Sequence, residues 1–552
     1  MADEKQIPRF AIELTVFACG AVVMIYEIIG SRIVSPFIGT STYVWTSLIG
    51  VILGALSLGY WLGGRYADKR ADIKILASVI FLAGGLVSVT IFFKDLLLAM
   101  IASANTGLEI KSLLAAVFLF APASVALGFV TPYAVKLKMS SLDDSGKVVG
   151  RLYALSTVGS IAGTFAAGFF LIPFVGSVRT LYLIAGVLFI LSFLLAAVSI
   201  TRAKIAFLTL FVFGIAASEL STYYLRQTNA LYDIDTEYSR VQLFQIDDTK
   251  TGKLMQAMAT DPYFVQSAMF LDSDDLAFEY NQYYHLIRHF KPDFQRTLML
   301  GGAGYSFPKE YLRKYPTAEI EVVEIDPRMT KIAREFFRLK DDPCLKITHE
   351  DGRIFLNRAG SGKYDAVLMD AFGSLFSVPY QLTTVEAVRQ IDRVLKDDGI
   401  AIFNVGSAIK GESSRFLQAE FATYRSVFPH VFIFKVNADY TDEQLQNLIV
   451  VACKTPLLTK EGWPRFADGV VLSMSEPGAI ASGFLKGPLL TSFSHTMTSH
   501  KYHQSDPDPE ITNLLSHRYT GDFPLTLPHL TDDLAPVEYY NSFAQNLYRR
   551  HQ

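Results

Sequence analysis

The sequence predicts a molecule in two parts: a multi-pass α-helical membrane domain over residues 1–225, then an α/β domain of Rossmann type introduced by a small β-stranded subdomain. Three observations lead there. Apolar segments of spanning length recur seven times in the first 225 residues. Beta-rich and helical segments alternate through 293–455, the pattern of a doubly wound parallel sheet. Between an apolar run, Thr297–Leu300, and a helical stretch lies a glycine loop, Gly301-Gly302-Ala303-Gly304. The next β-rich run delivers Glu324 twenty positions past Gly304, the spacing of a nucleoside-binding βαβ unit.

The predicted spans fall near 10–30, 42–63, 73–93, 112–134, 152–176, 180–200 and 205–224. A mean hydropathy of +0.28 over 552 residues is too apolar for a wholly soluble enzyme of this length. Small residues crowd Gly159-Ser160-Ile161-Ala162-Gly163 and Gly50 to Gly59, which lets helices approach closely. The first segment runs past Glu27 without a small-residue cleavage site and reads as an anchor, not a removed signal peptide. Intramembrane acids call for a partner, and Glu27 is expected to pair with Arg32.

Charge divides along the same boundary. Residues 1–225 hold 16 Lys/Arg against 11 Asp/Glu, and the remainder 34 against 42. A total of −3 argues against a nucleic-acid partner. Arg65, Lys69, Arg70 and Lys74, then Lys136, Lys138, Lys147 and Arg151, then Arg202 and Lys204 mark loops that the positive-inside rule places in the cytoplasm. The chain is therefore expected in the cell (inner) membrane, with its soluble half in the cytoplasm where nucleoside donors are made. Seven spans would put that half outside, so Ile205–Tyr224 is the segment suspected of not crossing. The three cysteines, Cys19, Cys344 and Cys453, have no metal-ligand spacing, and no metal is expected.

Beyond about Asp233 the reading is a β subdomain with a helix over 233–292, the Rossmann-like domain over 293–455, and an extension over 456–552. Strands are expected at Leu345–Thr348, Ala366–Met369, Gly399–Asn404, Val431–Val436 and Leu448–Ala452, and helices at Asp272–Phe290, Pro327–Arg338, Thr384–Leu395 and Phe416–Val427. In such a sheet ligands bind at the C-terminal strand ends. That gathers Gly301, Gly302 and Gly304, the acids Glu324 and Asp326, the Glu350-Asp351-Gly352 turn, Asp370 and Asn404. A carboxylate offers two acceptor oxygens, which suits Glu324 to a pair of ribose hydroxyls. Asp351 serves equally as a helix cap, and His285 equally as a packed helix residue.

Residues 233–455 resemble the spermidine synthase (polyamine aminopropyltransferase) family, a β-stranded domain followed by a Rossmann-like methyltransferase fold. The matching pieces are Gln266, Tyr284-His285, the glycine loop, Val322-Val323-Glu324-Ile325-Asp326, Asp351-Gly352, Tyr364-Asp365 and Asp370. Glu27, Arg32, Trp45, Gly59 to Asp68 and Leu530 to Glu538 look like the helical portion and closing motif of membrane-fused members. The resemblance implies a decarboxylated S-adenosylmethionine (or S-adenosylmethionine) co-substrate, a polyamine acceptor, the bilayer as surroundings and a homodimer. By the same resemblance, Asp370 and Tyr284 are the catalytic pair. Gln242, Gly301, Gly302, Gly304, Glu324, Asp326, Asp351 and Gly352 would hold the nucleoside, while Gln266, His285, Asp370 and Glu386 would meet the acceptor. Two positions depart from the family: Gly304 and Gly373 stand where it carries acids that hold cationic groups. Two other readings stay open on those grounds, a methyltransferase acting on a membrane-associated acceptor and a lapsed nucleoside-binding sensor or transporter.

Overall fold

The computed structural model describes residues 10–38, 42–104, 106–139, 145–196, 201–229, 231–261, 264–372, 378–455, 508–523, 526–537, 539–541 and 544. Most of the 456–552 extension, and Gly373, lie outside the described residues.

The first part is a helical bundle: α1 (Ala11–Ile38), α2 (Thr42–Lys69), α3 (Ile73–Ser103), α4 (Leu108–Leu119), α5 (Ala121–Gly128), α6 (Val130–Lys138), α7 (Ser145–Ala166), α8 (Ser177–Leu195) and α9 (Arg202–Asn229). Six helices are long and apolar enough to cross a membrane, and up to seven if the pair Leu108–Leu119 and Ala121–Lys138, bent by 49°, counts as one. Pro122 near the start of α5 has no N–H for the preceding turn, which accounts for the break that the sequence does not announce as a boundary. A second irregularity, π-helical turns over Ala167–Val175, contains Pro173 and continues α7. Helix α1 packs along α7 so closely that a side chain at Gly159 or Gly163 would collide with the Phe17 or Ala21 carbonyl oxygen. Those glycines are the small residues that permit the approach.

Every traversal can be followed from end to end. At one end of the broken pair Lys111 donates to the Ala102 carbonyl. At the other, Tyr133 Oη donates to the Arg70 carbonyl (2.5 Å), Lys136 pairs with Asp68 (3.1 Å) and Lys138 with Glu13 (3.0 Å). Helix α9 lies antiparallel to α8 along its length: Phe211 rests against Gly186, Tyr182 Oη donates to the Gly214 carbonyl, and Arg179 pairs with Glu219 at 3.2 Å. Ile205–Tyr224, the segment suspected of not crossing, lies within α9, whose Arg202–Leu220 stretch is long and apolar enough to cross a membrane. Residue 10 and the soluble part therefore sit at opposite ends of the bundle. The expected Glu27–Arg32 pair is also absent among the described residues. Arg32 is drawn away by a backbone acceptor, the Glu237 carbonyl, at 2.6 Å.

The second part opens with an antiparallel meander, β1 (Tyr232–Asp235), β2 (Arg240–Asp247), β3 (Leu254–Asp261) and β4 (Phe264–Phe270). A seven-stranded sheet follows, from β5 (Arg296–Leu300), β6 (Glu319–Glu324), β7 (Leu345–His349), β8 (Tyr364–Met369), β9 (Leu395–Ser407), β10 (His430–Lys435) and β11 (Gln446–Cys453), in the order β10-β11-β9-β8-β5-β6-β7. Six strands point one way. Strand β11 alone is antiparallel, to both β9 and β10, so the sheet is not wholly parallel as the alternation suggests. Connecting helices include α10 (Ile287–Phe290), α11 (Ser306–Lys314), α12 (Pro327–Phe336), α13 (Gly352–Arg358), α14 (Val385–Val394) and α15 (Arg415–Arg425), with α16 (Pro509–Ser516) from the extension.

Strands β8 and β9 read as continuous apolar runs because both faces are covered, by the Leu298–Val367–Phe403 cluster on one side and the Met299–Leu368–Ile402 cluster on the other. The predicted helix over Asp272–Phe290 is shorter than expected. It forms as 3₁₀ turns over Glu279–Leu286 and the single turn of α10, which presents Tyr280, Tyr283 and Tyr284 to the core.

Candidate active site

Four strand ends, those of β5, β6, β7 and β8, build the site. Strand β5 ends at Leu300, and the chain must then turn within one residue to clear β8. Gly301 does so at φ +94°, with no room for a Cβ against the Asp370 carbonyl oxygen. Ala303 and Tyr305 also adopt positive φ, 44° and 54°, and the loop needs a clamp. Glu324, at the end of β6, supplies it: one carboxylate oxygen accepts from Gly302 N (2.8 Å) and Ala303 N (3.0 Å), the other from Asp326 N (3.0 Å). Burial pushes the Glu324 carboxyl up, partly offset by those three backbone donors.

Asp326 caps α12 through one oxygen, which accepts from Arg328 N at 2.9 Å. Its other oxygen is buried without a partner. Asp351 likewise caps α13 with Oδ1, accepting from Arg353 N (2.8 Å) and Ile354 N (3.1 Å). The cap reading and the ligand reading of Asp351 are compatible, since its Oδ2 makes no hydrogen bond among the described residues.

These groups line a cavity of about 230 Å³ together with Tyr238, Ser239, Gln266, Gly352, Asp370, Phe372 and Leu382. A narrow extension beyond Gly301 and Asp370 is walled by Gln266, Ser267, Tyr280, Asn281, Ser306 and Phe307. Gln266 bridges the meander and the seven-stranded sheet, donating to the Phe372 carbonyl (3.1 Å) and accepting from Thr260 (3.1 Å).

Asp370 stands where cavity and extension meet. Tyr280 Oη donates to its Oδ2 at 3.1 Å; the Tyr284 hydroxyl, which donates to the Met369 carbonyl at 3.4 Å, and the Asn404 amide lie close enough to favour the ionised carboxylate as well. Burial pushes this carboxyl up to about 6 against the lowering effect of those three donors. The two phenols, buried beside a carboxylate, are held well above the ordinary tyrosine range and stay neutral donors.

Of the residues singled out from sequence, Gln266, Gly301, Gly302, Glu324, Asp326, Asp351, Gly352 and Asp370 share this one cleft. Tyr284 and Gly304 sit directly behind it. A side chain at Gly304 would strike Ser267, whose hydroxyl accepts from Gly304 N at 3.1 Å, so an acid there is excluded by packing.

Three residues lie elsewhere. Gln242 is on the face of β2 opposite Val241 and Leu243, which are fully buried in the core, and strand alternation turns it from the cleft. His285 is buried behind α11 with Nδ1 on Tyr315 Oη (2.8 Å), and burial lowers its pKa to about 3. Glu386 accepts from Asp532 N at 3.0 Å, fastening the closing motif. Reasoning from sequence passed over Tyr280, Asn281 and the Tyr238-Ser239 wall. Tyr280 is one aromatic among several in the stretch expected as helix, and Tyr238-Ser239 carries no motif that marks it for a site.

The fold and the cleft have the layout of a doubly wound sheet with a ligand cleft at its strand ends: six parallel strands and one antiparallel, a glycine turn clamped by an acid, and further acids at the next two strand ends. Comparison with known proteins narrows this. Residues 278–439 match the spermine/spermidine synthase domain, and the chain is a transferase carrying that domain. It is 26% identical over 273 residues to the polyamine aminopropyltransferase of Vibrio vulnificus, covering 49% of this chain and 86% of that one. It is 25% identical over 426 residues to polyamine aminopropyltransferase 1 of Streptomyces coelicolor, covering 72% of this chain and 76% of that one. The latter match is longer than the whole chain beyond Leu231 and so reaches into the helical bundle. Among solved structures, a probable spermidine synthase from Corynebacterium glutamicum covers 41% of this chain and 80% of its own, with 22% identity and a TM-score of 0.36.

Proposed function

We propose that the protein is a membrane-bound aminopropyltransferase that moves the aminopropyl group of decarboxylated S-adenosylmethionine onto a primary amine of a polyamine acceptor. The observation that carries this reading is Asp370: a half-buried carboxylate at the junction of cavity and extension, flanked by neutral phenols, with a pKa raised to about 6. A protonated amine has no lone pair, so a base must attract the cation and then take its proton. Asp370 suits both steps.

The cavity fits the nucleoside on its own chemistry. Asp326 presents a buried acceptor without a partner, Asp351 keeps one oxygen free, and the glycine loop brings backbone close to the ligand. Glu324 spends two acceptor positions on the loop and one on Asp326 N, and has one left for a ribose hydroxyl. The sulfonium supplies the leaving group. The acceptor nitrogen bonds to the propyl carbon, the C–S electron pair returns to sulfur as 5′-methylthioadenosine, and Asp370 takes the proton.

A second reading has an observation of its own. The extension is walled by neutral polar groups, Gln266, Ser267, Asn281 and Ser306, with Asp370 as its one carboxylate among the described residues. That favours a less cationic tail and acceptor, as in methyl transfer from S-adenosylmethionine. Mass spectrometry of nucleoside products separates the two. Methylthioadenosine formed from the decarboxylated donor and a polyamine supports aminopropyl transfer; S-adenosylhomocysteine would replace it with methyl transfer.

Orientation belongs to the same proposal. If the seven traversals cross the bilayer, the basic loops at one end face the cytoplasm and the catalytic part, at the other end, faces away. A reporter fused after residue 552 reads this directly, and a cytoplasmic signal would mean that one traversal does not cross.

A further inference from the structure

We propose that the nucleoside cleft is completed by the helical bundle. Arg32 of α1 is a positioning residue that holds the Thr236–Ser239 turn as the cleft's outer wall, so that nucleoside occupancy and the seating of α1 and α8 on the β subdomain form one coupled equilibrium. This rests on the reading of the cleft as a nucleoside site.

The turn is tight. Thr236 N and Oγ1 both donate to the Ser239 carbonyl, at 2.8 and 2.9 Å, and Ser239 N donates back to Thr236 Oγ1 at 2.9 Å. Tyr238 and Ser239, its last two residues, line the cleft. It is held from outside by three groups, two of them from the bundle. Arg32 Nη2 donates to the Glu237 carbonyl at 2.6 Å. The first turn of α8 grips the preceding residue: Ser177 N donates to Asp235 Oδ2 (2.7 Å) and Ser177 Oγ to Oδ1 (3.0 Å). The third is Arg328 of α12, whose Nη1 donates to the Asp235 carbonyl at 2.6 Å. Arg328 is two residues beyond Asp326, the wall carboxylate whose second oxygen has no partner. A continuous set of hydrogen bonds thus joins two bundle helices, the turn, α12 and the cleft.

Arg32 also acts through its charge. Its guanidinium is within electrostatic reach of Asp235 and Asp326. Asp326 is 2% exposed and sits beside Glu324 in a buried wall, where a second anion is costly without a cation. Arg32 supplies that cation from outside the Rossmann-like domain. A buried acceptor oxygen without a partner, as Asp326 Oδ2 is, is what a ligand hydroxyl requires. Asp370 stands on the opposite wall, so Arg32 serves binding and leaves proton transfer alone. Coupling is reciprocal: whatever Arg32 adds to nucleoside affinity, a bound nucleoside returns to the contact between bundle and turn.

The test uses the full chain in detergent with 5′-methylthioadenosine as probe, by calorimetry and by hydrogen exchange over 235–239. Arg32→Ala is expected to raise Kd roughly ten-fold, the scale of one charge-assisted hydrogen bond, and Arg32→Lys to restore most of it. Under turnover, Arg32→Ala raises donor KM with kcat within two-fold. Nucleoside should slow exchange at 235–239 in the unaltered chain and much less in the variant. Lys138→Ala, which breaks the pair with Glu13 at the far end of the bundle, should change none of these. Arg32→Gln, which keeps an amide donor and loses the charge, carries the comparison if the alanine variant does not fold. Binding within two-fold of the unaltered chain in both Arg32→Ala and Arg32→Gln overturns the proposal while the reading of the cleft stands. No binding by the unaltered chain overturns the reading of the cleft itself.

Discussion

The two ends of the cleft solve opposite electrostatic problems. At the end proposed for the nucleoside three carboxylates, Glu324, Asp326 and Asp351, line the cavity, and each is committed to backbone N–H donors from the glycine loop or from a helix start. At the tail end a single carboxylate, Asp370, faces neutral polar groups and two phenols. Backbone donors are fixed and can hold several anions near one another. Side-chain hydroxyls and an amide hold one anion and leave its pKa near neutrality. The first arrangement binds, and the second is poised to exchange a proton. The lesson is that a count of acids describes such a site less well than a list of what each acid is bonded to.

The largest expected effect breaks the tail end alone. Asp370→Asn should lower turnover about a thousand-fold or more, in keeping with loss of a positioned base. Methylthioadenosine binding should stay within a few-fold, as read by product mass spectrometry and calorimetry. Full activity of that variant would remove Asp370 from the mechanism.

Glu324→Gln breaks the other end. Its amide keeps one acceptor oxygen in place of two, so its NH2 must face either the Gly302 and Ala303 donors or the Asp326 donor, and roughly ten-fold or more in nucleoside affinity should go with the lost charge-assisted bonding. An unchanged Kd would mean that the loop holds its conformation without the clamp.

A pH profile sharpens the contrast. Only ionised Asp370 accepts a proton, and its pKa in the free enzyme is about 6. On that basis kcat/KM should fall about ten-fold per unit below pH 6 and be flat just above it. Tyr280→Phe, which removes one donor that favours the ionised form, should move that acid limb to higher pH and cost about five-fold at neutral pH.

The smallest effect is on stability. Asp370 carries a pKa of about 6 in the fold against an ordinary 3.8, so the folded state holds its proton more tightly than the unfolded chain. The burial cost is absent below pH 4 and is incurred as pH rises through 6, reaching on the order of 3 kcal/mol at pH 8. Asp370→Asn should therefore raise Tm at pH 8, with the gain fading toward pH 4. A Tm difference that ignores pH would show that the carboxylate is better solvated than its burial implies.

The sequence by itself determined the elements. Apolar length marked the helices of the bundle, six of them long and apolar enough to cross a membrane and a bent pair besides, and period and punctuation marked the strands from β5 to β11 and most helices between them. The glycine loop and the acids at Glu324, Asp326, Asp351 and Asp370 were legible because strand-end position follows from where an apolar run stops. What only the tertiary structure decided was contact between segments far apart in the chain. Gln242 and His285 look like site residues and are not, because the face of β2 and the far side of α11 are set by packing. Tyr280 enters the site because 3₁₀ turns replace the predicted helix, which changes the residues that share a face. Strand β11 reverses direction, which hydropathy does not encode, since a buried strand reads the same either way. Arg32 is the furthest case. Its partner by spacing is Glu27, five residues before it, whereas its partner in the fold is the Glu237 carbonyl, 205 residues away. No local pattern carries that information, because the energy of that contact exists only once bundle and sheet are docked.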